Sequence, residues 1–191
     1  MKIIGFAGSL REESLSKKAL RVVLEGAKIA GAKVEEVDLR KLNIPLYDGD
    51  LEVKEGLPQG VKMLKKKIHE ADALIIASPE YNNSVSGVLK NAIDWTSRTG
   101  DGLDVFKDKP TALITASPSR FGGVRAAVSF RTIARGVGIL LMNEEVQVAN
   151  AEEVFDGDEI VDERVEKQLK DLGKGLVDWT IRLKKPSQQT A

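Results

Sequence analysis

The chain contains no cysteine among its 191 residues. This absence excludes disulfides, thiolate metal sites, iron-sulfur clusters and thiol redox chemistry, so any redox role requires a bound cofactor. The single histidine, His69, lies in a lysine-rich helical stretch, where we expect a solvated or partly buried structural side chain. Neither an imidazole metal site nor a Ser-His-Asp triad is predicted.

The chain also lacks net charge and long apolar runs. Its 29 basic and 29 acidic side chains cancel, which gives no indication of a nucleic acid or another polyanion as partner. The N-terminal apolar run, residues 3–7, is too short for a signal peptide or a transmembrane span. We therefore expect a cytoplasmic protein that does not insert into membranes.

The length of the chain suits one well-buried core with a few functional loops. No internal repeat, low-complexity run or linker divides it. We predict a single domain over residues 1–185, followed by a polar C-terminal tail over 186–191.

Five short apolar runs have the length and the Ile, Val and Leu content of strands buried on both faces. They occupy residues 2–7, 33–38, 73–78, 111–117 and 139–142. Segments with helical periodicity alternate with them, around residues 15–26, 61–71, 88–93, 124–134 and 165–179. This alternation predicts a three-layer, doubly wound α/β fold around a five-stranded parallel sheet. The segments 41–60, 97–109 and 148–158 are predicted to be loops, the last with room for a short extra strand.

In such a sheet, ligands bind beyond the carboxyl ends of the strands, where the strand order reverses. The loop after the first strand, residues 8–16, leads into a helix predicted to begin near Ser14. It offers free backbone N–H groups, serine hydroxyls and the Arg11 guanidinium, which are groups that bind phosphate at a helix N-terminus. Ser14 could also serve only as a helix cap. The loop matches neither the Walker A motif nor the dinucleotide fingerprint. Asp38, at the end of the second strand, is placed like the ribose-binding acid of the dinucleotide-binding fold, but without the fingerprint we interpret it as a loop-capping residue.

The loops after the third and fourth strands each allow two interpretations. Tyr81, Asn82 and Asn83 offer an aromatic face and amide donors to a flat heterocycle, or they form a turn. Gly122 and Gly123 permit close approach of the backbone to a planar ligand, or a tight turn before a helix.

Together the three loops resemble those of the NADPH-dependent FMN reductase family, which includes quinone, azo-dye and chromate reductases, and the similarity runs from Met1 to about Leu183. The phosphate loop of the family has the form Gly-Ser-x-Arg-x-x-Ser-x-Asn, and here Ser16 replaces the asparagine. The most specific match runs over residues 78–95, where Ser86 replaces a usual proline. In the third loop Ser119 replaces a usual glycine.

The resemblance implies a flavodoxin-like fold with strand order 2-1-3-4-5, bound FMN, and NADPH or NADH as co-substrate. It assigns the FMN phosphate to Ser9, Arg11, Ser14 and Ser16, and the ribityl chain and ring to Pro79, Glu80, Tyr81, Asn82, Ser117, Gly122 and Gly123. It further implies ping-pong hydride transfer through FMN to small-molecule acceptors: quinones, azo compounds, flavins, or metal oxyanions such as chromate. The flavin carries this chemistry, so no catalytic acid or base is assigned.

Members of the family are commonly homodimers or homotetramers, and we expect the same here. Arg98 is a candidate for the acceptor pocket or a subunit contact, with a solvated surface arginine as the alternative. The helix over residues 90–99, with Ile93 and Trp95, is a candidate subunit interface, although the plainer explanation of Ile93 and Trp95 is that they belong to the core.

Two other functions remain open for this fold, because one architecture hosts many functions. One is a flavodoxin-type electron carrier without turnover of its own, and the other is a regulatory or structural module without cofactor. The balanced charge and Arg11 favour an enzyme over the electron carrier, since such carriers are usually strongly acidic.

Overall fold

The computed structural model describes residues 1–184, so the tail predicted over 186–191 lies outside the described residues. The strands are β1 (Lys2–Ala7), β2 (Lys33–Val37), β3 (Ala73–Tyr81), β4 (Ser84–Val85), β5 (Pro110–Ala116), β6 (Leu140–Val148), β7 (Phe155–Asp156) and β8 (Glu159–Ile160). The helices are α1 (Leu15–Ile29), α2 (Gly49–Glu55), α3 (Gln59–Glu70), α4 (Gly87–Thr96), α5 (Val124–Gly136), α6 (Ala151–Val154) and α7 (Glu163–Lys184), with a 3-10 helix at Leu39–Leu42.

The five long strands form one parallel sheet in the order β2-β1-β3-β5-β6. This is the predicted order, 2-1-3-4-5, once the short strand β4 is set aside; β4 adds an antiparallel arm to β3. The order reverses beside β1, because β2 lies on one side of it and β3 on the other. The carboxyl ends of β1, β3 and β5 therefore lie side by side, at the edge where such folds bind ligands.

The core has two layers, one on each face of the sheet. Along β1, Ile3 faces the layer that contains α1 and α7, while Ile4 and Phe6 face the layer that contains α3, α4 and α5. Alternate side chains of a strand point to opposite faces, so a strand covered on both faces is apolar throughout. No helix within residues 1–184 is long and apolar enough to span a membrane.

Helices α1 and α7 pack closely through two glycines, Gly26 and Gly173. A Cβ atom on Gly173 would overlap the Val23 carbonyl oxygen and lie 2.7 Å from the Ala27 nitrogen. A Cβ on Gly26 would meet the backbone of Lys170 in the same way. The helix that follows the first loop is thus held against α7 at backbone distance.

Several segments predicted to be irregular contain regular structure. The helix α2 occupies part of 41–60, but none of its residues is buried, so it lacks the apolar periodicity that identifies a helix. Strand β6 continues to Val148 instead of ending at residue 142. Its polar residues Glu144 and Glu145 interrupt the apolar run, but β6 is an edge strand of the sheet, where polar side chains can face solvent. The extra strand expected within 148–158 is present as β7, which pairs with β8.

Candidate functional site

The three predicted loops meet at the carboxyl edge of the sheet. The Gly8 N–H donates to the Ala77 carbonyl oxygen at 2.8 Å, which attaches the first loop to β3. The Ser86 hydroxyl donates to the Gly8 carbonyl oxygen, which attaches the same loop to the start of α4. The Ser117 N–H donates to the Val148 carbonyl oxygen at 3.1 Å, which attaches the third loop to β6.

In the first loop, the serine side chains are arranged to bind an anion. Ser14 caps α1, and its Oγ accepts the Lys17 N–H at 3.3 Å. The Ser9 Oγ accepts the Arg11 N–H at 3.3 Å. Each hydroxyl acts as an acceptor in these contacts, so its own hydrogen remains available to a ligand oxygen. Ser14 therefore combines both predicted roles, as a helix cap and as a potential phosphate ligand.

The charges around the first loop leave one guanidinium for a ligand. Lys17 is nearly buried, with Nζ 3.4 Å from the Asp38 carboxylate, and Lys18 lies 2.9 Å from Glu13, whose pKa it lowers by hydrogen bonding and by its charge. Among residues 1–184, Arg11 forms no ion pair within 4.0 Å. Arg11 is exposed and can pair with a phosphate.

Asp38 has the capping role predicted for it. Its carboxylate accepts the Arg40 N–H at 3.0 Å and begins the 3-10 helix. The Arg40 guanidinium in turn donates to the Leu10 carbonyl oxygen at 2.7 Å, which connects the first loop to the 3-10 helix.

The donor set of this loop fits the phosphate monoester of FMN. The N–H groups of Leu15 and Ser16 belong to the first turn of α1 and have no partner within the helix. Gly8 lets the loop lie against α4, because a Cβ there would be 2.6 Å from the Leu89 Cβ. The positive ends of two helix dipoles, those of α1 and α4, thus lie at the loop that carries Arg11.

The second loop is a hairpin that joins β3 to β4. Asn82 and Asn83 have φ values of 50° and 65°, which are typical of a two-residue type I′ turn and suit asparagine. The interpretation of these asparagines as turn formers is confirmed. Tyr81 is 49% exposed at the end of β3, so its ring remains accessible to a ligand.

Glu80 caps helix α5. Its carboxylate accepts the N–H of Arg125 at 2.8 Å and that of Ala126 at 3.1 Å, and its side chain is 11% exposed. These bonds satisfy N–H groups that α5 cannot satisfy internally, and Gly123, at the cap position, has no side chain to do so. The side chain expected to line the cofactor is therefore engaged by the fold.

Replacing Glu80 with alanine is expected to lower the free energy of unfolding by about 1–2 kcal/mol, the usual cost of losing a helix cap. Glu80→Gln keeps an acceptor oxygen and should lose less. Urea unfolding measures the stability, and fluorescence titration with FMN measures the affinity, which should stay unchanged in Glu80→Gln. An unchanged stability with tenfold weaker FMN binding would instead make Glu80 a cofactor ligand.

The two glycines of the third loop serve the turn before α5. Gly122 and Gly123 have φ values of 60° and 85°, in the left-handed region that glycine adopts without steric cost. A Cβ on Gly123 would lie 2.8 Å from the Thr115 Cβ, and the Thr115 hydroxyl donates to the Gly122 carbonyl oxygen at 2.7 Å. The tight-turn interpretation is confirmed, and Ser117, whose Oγ accepts the Ser119 N–H at 3.2 Å, stabilises the same loop.

Arg98 does not join the three loops within one copy of the chain. Helix α4 begins at these loops and its 10 residues extend about 15 Å away from them. Arg98 follows its far end, where Nε donates to the Asp94 carbonyl oxygen at 3.0 Å and the guanidinium lies 5.3 Å from the Tyr47 ring centroid.

Ile93 and Trp95 belong to the core. They are 1% and 0% exposed, and the Trp95 Nε1–H donates to the Pro45 carbonyl oxygen at 2.9 Å. Their role as subunit-interface residues is wrong, because side chains covered by their own chain offer no surface to another copy.

One feature of the third loop escaped the sequence interpretation. Phe121 is 47% exposed, and the guanidinium carbons of Arg120 and Arg125 lie 4.9 Å and 5.4 Å from its ring centroid. The convergence of these three side chains depends on the geometry of the turn at Gly122 and Gly123, which the sequence alone does not give.

Of two cavities on the molecule, one is remote from the three loops and one lies at the first loop. One of about 730 Å³ lies between β6 and α7, and one of about 440 Å³ lies beside Leu10 and Val88, next to the first loop. The three-loop edge is an open surface. Its donor groups identify it as the site more clearly than enclosed volume does.

Comparison with known proteins gives relatives along almost the whole chain. The model of the family described as NADPH-dependent FMN reductase matches residues 1–153. An NAD(P)H-dependent FMN reductase of Pseudomonas aeruginosa is 36% identical, over 96% of this chain and 97% of the relative. An NADPH:quinone oxidoreductase of Arabidopsis thaliana is also 36% identical, over 96% and 93% of the two chains.

Solved structures give the same result. FerB, a flavoenzyme NAD(P)H:(acceptor) oxidoreductase from Paracoccus denitrificans, matches with a TM-score of 0.81 and 32% identity, over 95% of this chain and 97% of that chain. A flavodoxin from the domain Archaea matches with a TM-score of 0.65 and 13% identity, which supports the fold alone.

Proposed function

The chain belongs to the NADPH-dependent FMN reductase family, and from this premise we propose that it passes electrons from NADPH or NADH to quinones. The predicted family is thereby confirmed. As a member it is an oxidoreductase with FMN as cofactor and a nicotinamide coenzyme as reductant. The observation that carries the proposal for this chain is Arg11, which is exposed just before the N-terminus of α1 and forms no ion pair within residues 1–184.

We assign the FMN phosphate to Arg11, the serine hydroxyls and the first turn of α1. The residues proposed to bind it are Ser9, Arg11, Ser14 and Ser16. The ring and ribityl chain are assigned to the other two loops, at Pro79, Glu80, Tyr81, Asn82, Ser117, Gly122 and Gly123. Because the Glu80 carboxylate caps α5 and the two glycines form a turn, these three residues would contact the cofactor through their backbone.

When bound, FMN supplies the redox chemistry by taking a hydride from the nicotinamide and reducing the acceptor in a separate half-reaction. The chain itself holds the phosphate by charge-assisted hydrogen bonds. The loops after β3 and β5 lie at the same edge, and any backbone N–H groups that face the bound cofactor there would stabilise its developing negative charge without reorganisation. The open surface above them admits acceptors of varied shape.

This openness supports a broad range of acceptors, so we include azo compounds, free flavins and chromate in the proposal. A flavodoxin-type electron carrier is the second candidate, favoured only by the shared fold. Arg11 and the absence of net charge oppose it, because such carriers are usually strongly acidic.

The proposed ping-pong order predicts parallel lines in double-reciprocal plots. NADPH would be varied at several fixed concentrations of benzoquinone, because the coenzyme must leave before the acceptor binds to the same face. Intersecting lines would show a ternary complex and contradict this order. The same series with an azo dye and with chromate tests the wider acceptor range.

We also propose that the chain is a single FMN-binding domain that assembles as a homodimer or homotetramer. Arg98, remote from the loops of its own copy, would reach an acceptor only from a partner subunit. The cytoplasmic location stays a prediction.

A further inference from the structure

The tip of the third loop presents an aromatic ring with two arginines. Phe121 is 47% exposed, although its neighbours Gly122 and Gly123 are buried. The guanidinium carbons of Arg120 and Arg125 lie 4.9 Å and 5.4 Å from the centroid of its ring. The loop thus places two like charges on one exposed ring, directly beside the proposed cofactor site.

The positive charge of this tip is only partly balanced. The Arg125 guanidinium lies 3.5 Å from the Glu80 carboxylate, but that carboxylate already accepts two backbone N–H groups of α5. Within residues 1–184, Arg120 forms no ion pair within 4.0 Å. The positive end of the α5 dipole adds to the same potential. In a chain without net charge, this tip is locally cationic.

These groups match one end of the reductant. An exposed aromatic ring stacks on a purine, and guanidinium groups bind phosphate through paired hydrogen bonds and stack on flat rings. NADPH carries an adenine with a phosphate on the 2′ oxygen of its ribose, and NADH lacks that phosphate. The pyrophosphate, common to both coenzymes, adjoins the nicotinamide end, which must reach the flavin. The tip, at the outer rim of the loop, suits the opposite end.

We propose that Arg120, Phe121 and Arg125 bind the 2′-phosphoadenosine end of NADPH, so that the chain prefers NADPH over NADH. This inference rests on the proposed function and names its reductant. Arg120 and Arg125 would pair with the 2′-phosphate, and Phe121 would stack on the adenine. Arg120 is the most informative position, because its side chain has no structural partner in the described chain apart from Phe121.

The test compares both coenzymes in the FMN-loaded enzyme. Arg120→Ala should lower kcat/KM for NADPH by about tenfold or more, the usual effect of losing a charge-assisted contact, and leave the value for NADH within about twofold. Arg135→Ala, on an exposed arginine of the last turn of α5, is the matched control and should affect neither. Equal losses with both coenzymes, or no loss with NADPH, would overturn the assignment.

A binding measurement gives a readout independent of turnover. Calorimetric titration should show that adenosine 2′,5′-bisphosphate binds more tightly than AMP, and that Arg120→Ala reduces the difference because Arg125 alone then faces the 2′-phosphate. Phe121→Leu should weaken both ligands to a similar extent, because both carry the adenine. Equal affinities for the two nucleotides in the unmodified protein would contradict the proposal. Failure of the proposed function would appear differently, as no oxidation of either coenzyme by the FMN-loaded protein.

Discussion

Replacing Arg11 with alanine is expected to weaken FMN binding by about 10- to 100-fold, as the loss of a charge-assisted hydrogen bond to phosphate costs roughly 1.5–3 kcal/mol. Arg11 is exposed in the first loop and forms no ion pair within residues 1–184. Its removal should therefore leave the free energy of unfolding of the FMN-free protein almost unchanged. Fluorescence titration with FMN and urea unfolding measure the two effects separately.

Arg21→Ala is the matched control for this change. Arg21 is a half-exposed arginine on α1, paired with Glu36 at 3.0 Å, and lies beyond the first turn that faces the ligand. Its loss should leave FMN affinity within about twofold because of this position. It should also change the free energy of unfolding little, because an exposed ion pair contributes little to stability. If Arg11→Ala bound FMN as tightly as the unmodified protein, the phosphate would not lie at the N-terminus of α1.

Gly173→Ala is expected to lower the free energy of unfolding by about 2 kcal/mol or more, within the range for overpacked cores. The added methyl group would overlap the Val23 carbonyl oxygen and approach the Ala27 nitrogen to 2.7 Å. Backbone atoms cannot move aside as a flexible side chain can, so α1 and α7 must separate. The greater helix propensity of alanine offsets only about 1 kcal/mol of this cost. Urea unfolding of the FMN-free protein measures the change.

Gly175→Ala, two residues further along α7, provides the comparison. A Cβ there would meet only the terminal methyl group of Met142, at 3.6 Å, so this change should be neutral or stabilising. The first turn of α1 forms part of the proposed phosphate site. Gly173→Ala should therefore weaken FMN binding as well, and Gly175→Ala should not. Equal stabilities of the two variants would contradict the close contact between α1 and α7.

The strands buried on both faces could be predicted from the sequence because burial leaves a continuous apolar run. The run at residues 73–78 is of this kind, and it predicted the body of β3. Strand β3 nevertheless extends to Tyr81, and the two-residue strand β4 is too short for any periodicity. Helix α2 was missed for a related reason, since it buries no side chain and depends on the capping carboxylate of Asp48.

The candidate site could be predicted where local chemistry identifies it. Arg11 and Ser14 lie in one short segment that directly precedes a helix. A phosphate loop can therefore be predicted from this segment of the sequence alone. The role of Glu80 could not be, because its partners Arg125 and Ala126 lie about 45 residues further along the chain and only the folded sheet brings them together. The same holds for Arg98, whose separation from the loops depends on the direction of α4.

This chain is expected to bind FMN and to reduce it with a nicotinamide coenzyme. The most direct measurement is an absorbance scan of the purified protein after incubation with FMN and desalting, followed by anaerobic addition of NADPH and then of a quinone. We expect a retained flavin band that NADPH bleaches and the quinone restores. A protein that retains no flavin band, or a band that neither NADPH nor NADH bleaches, would contradict this expectation.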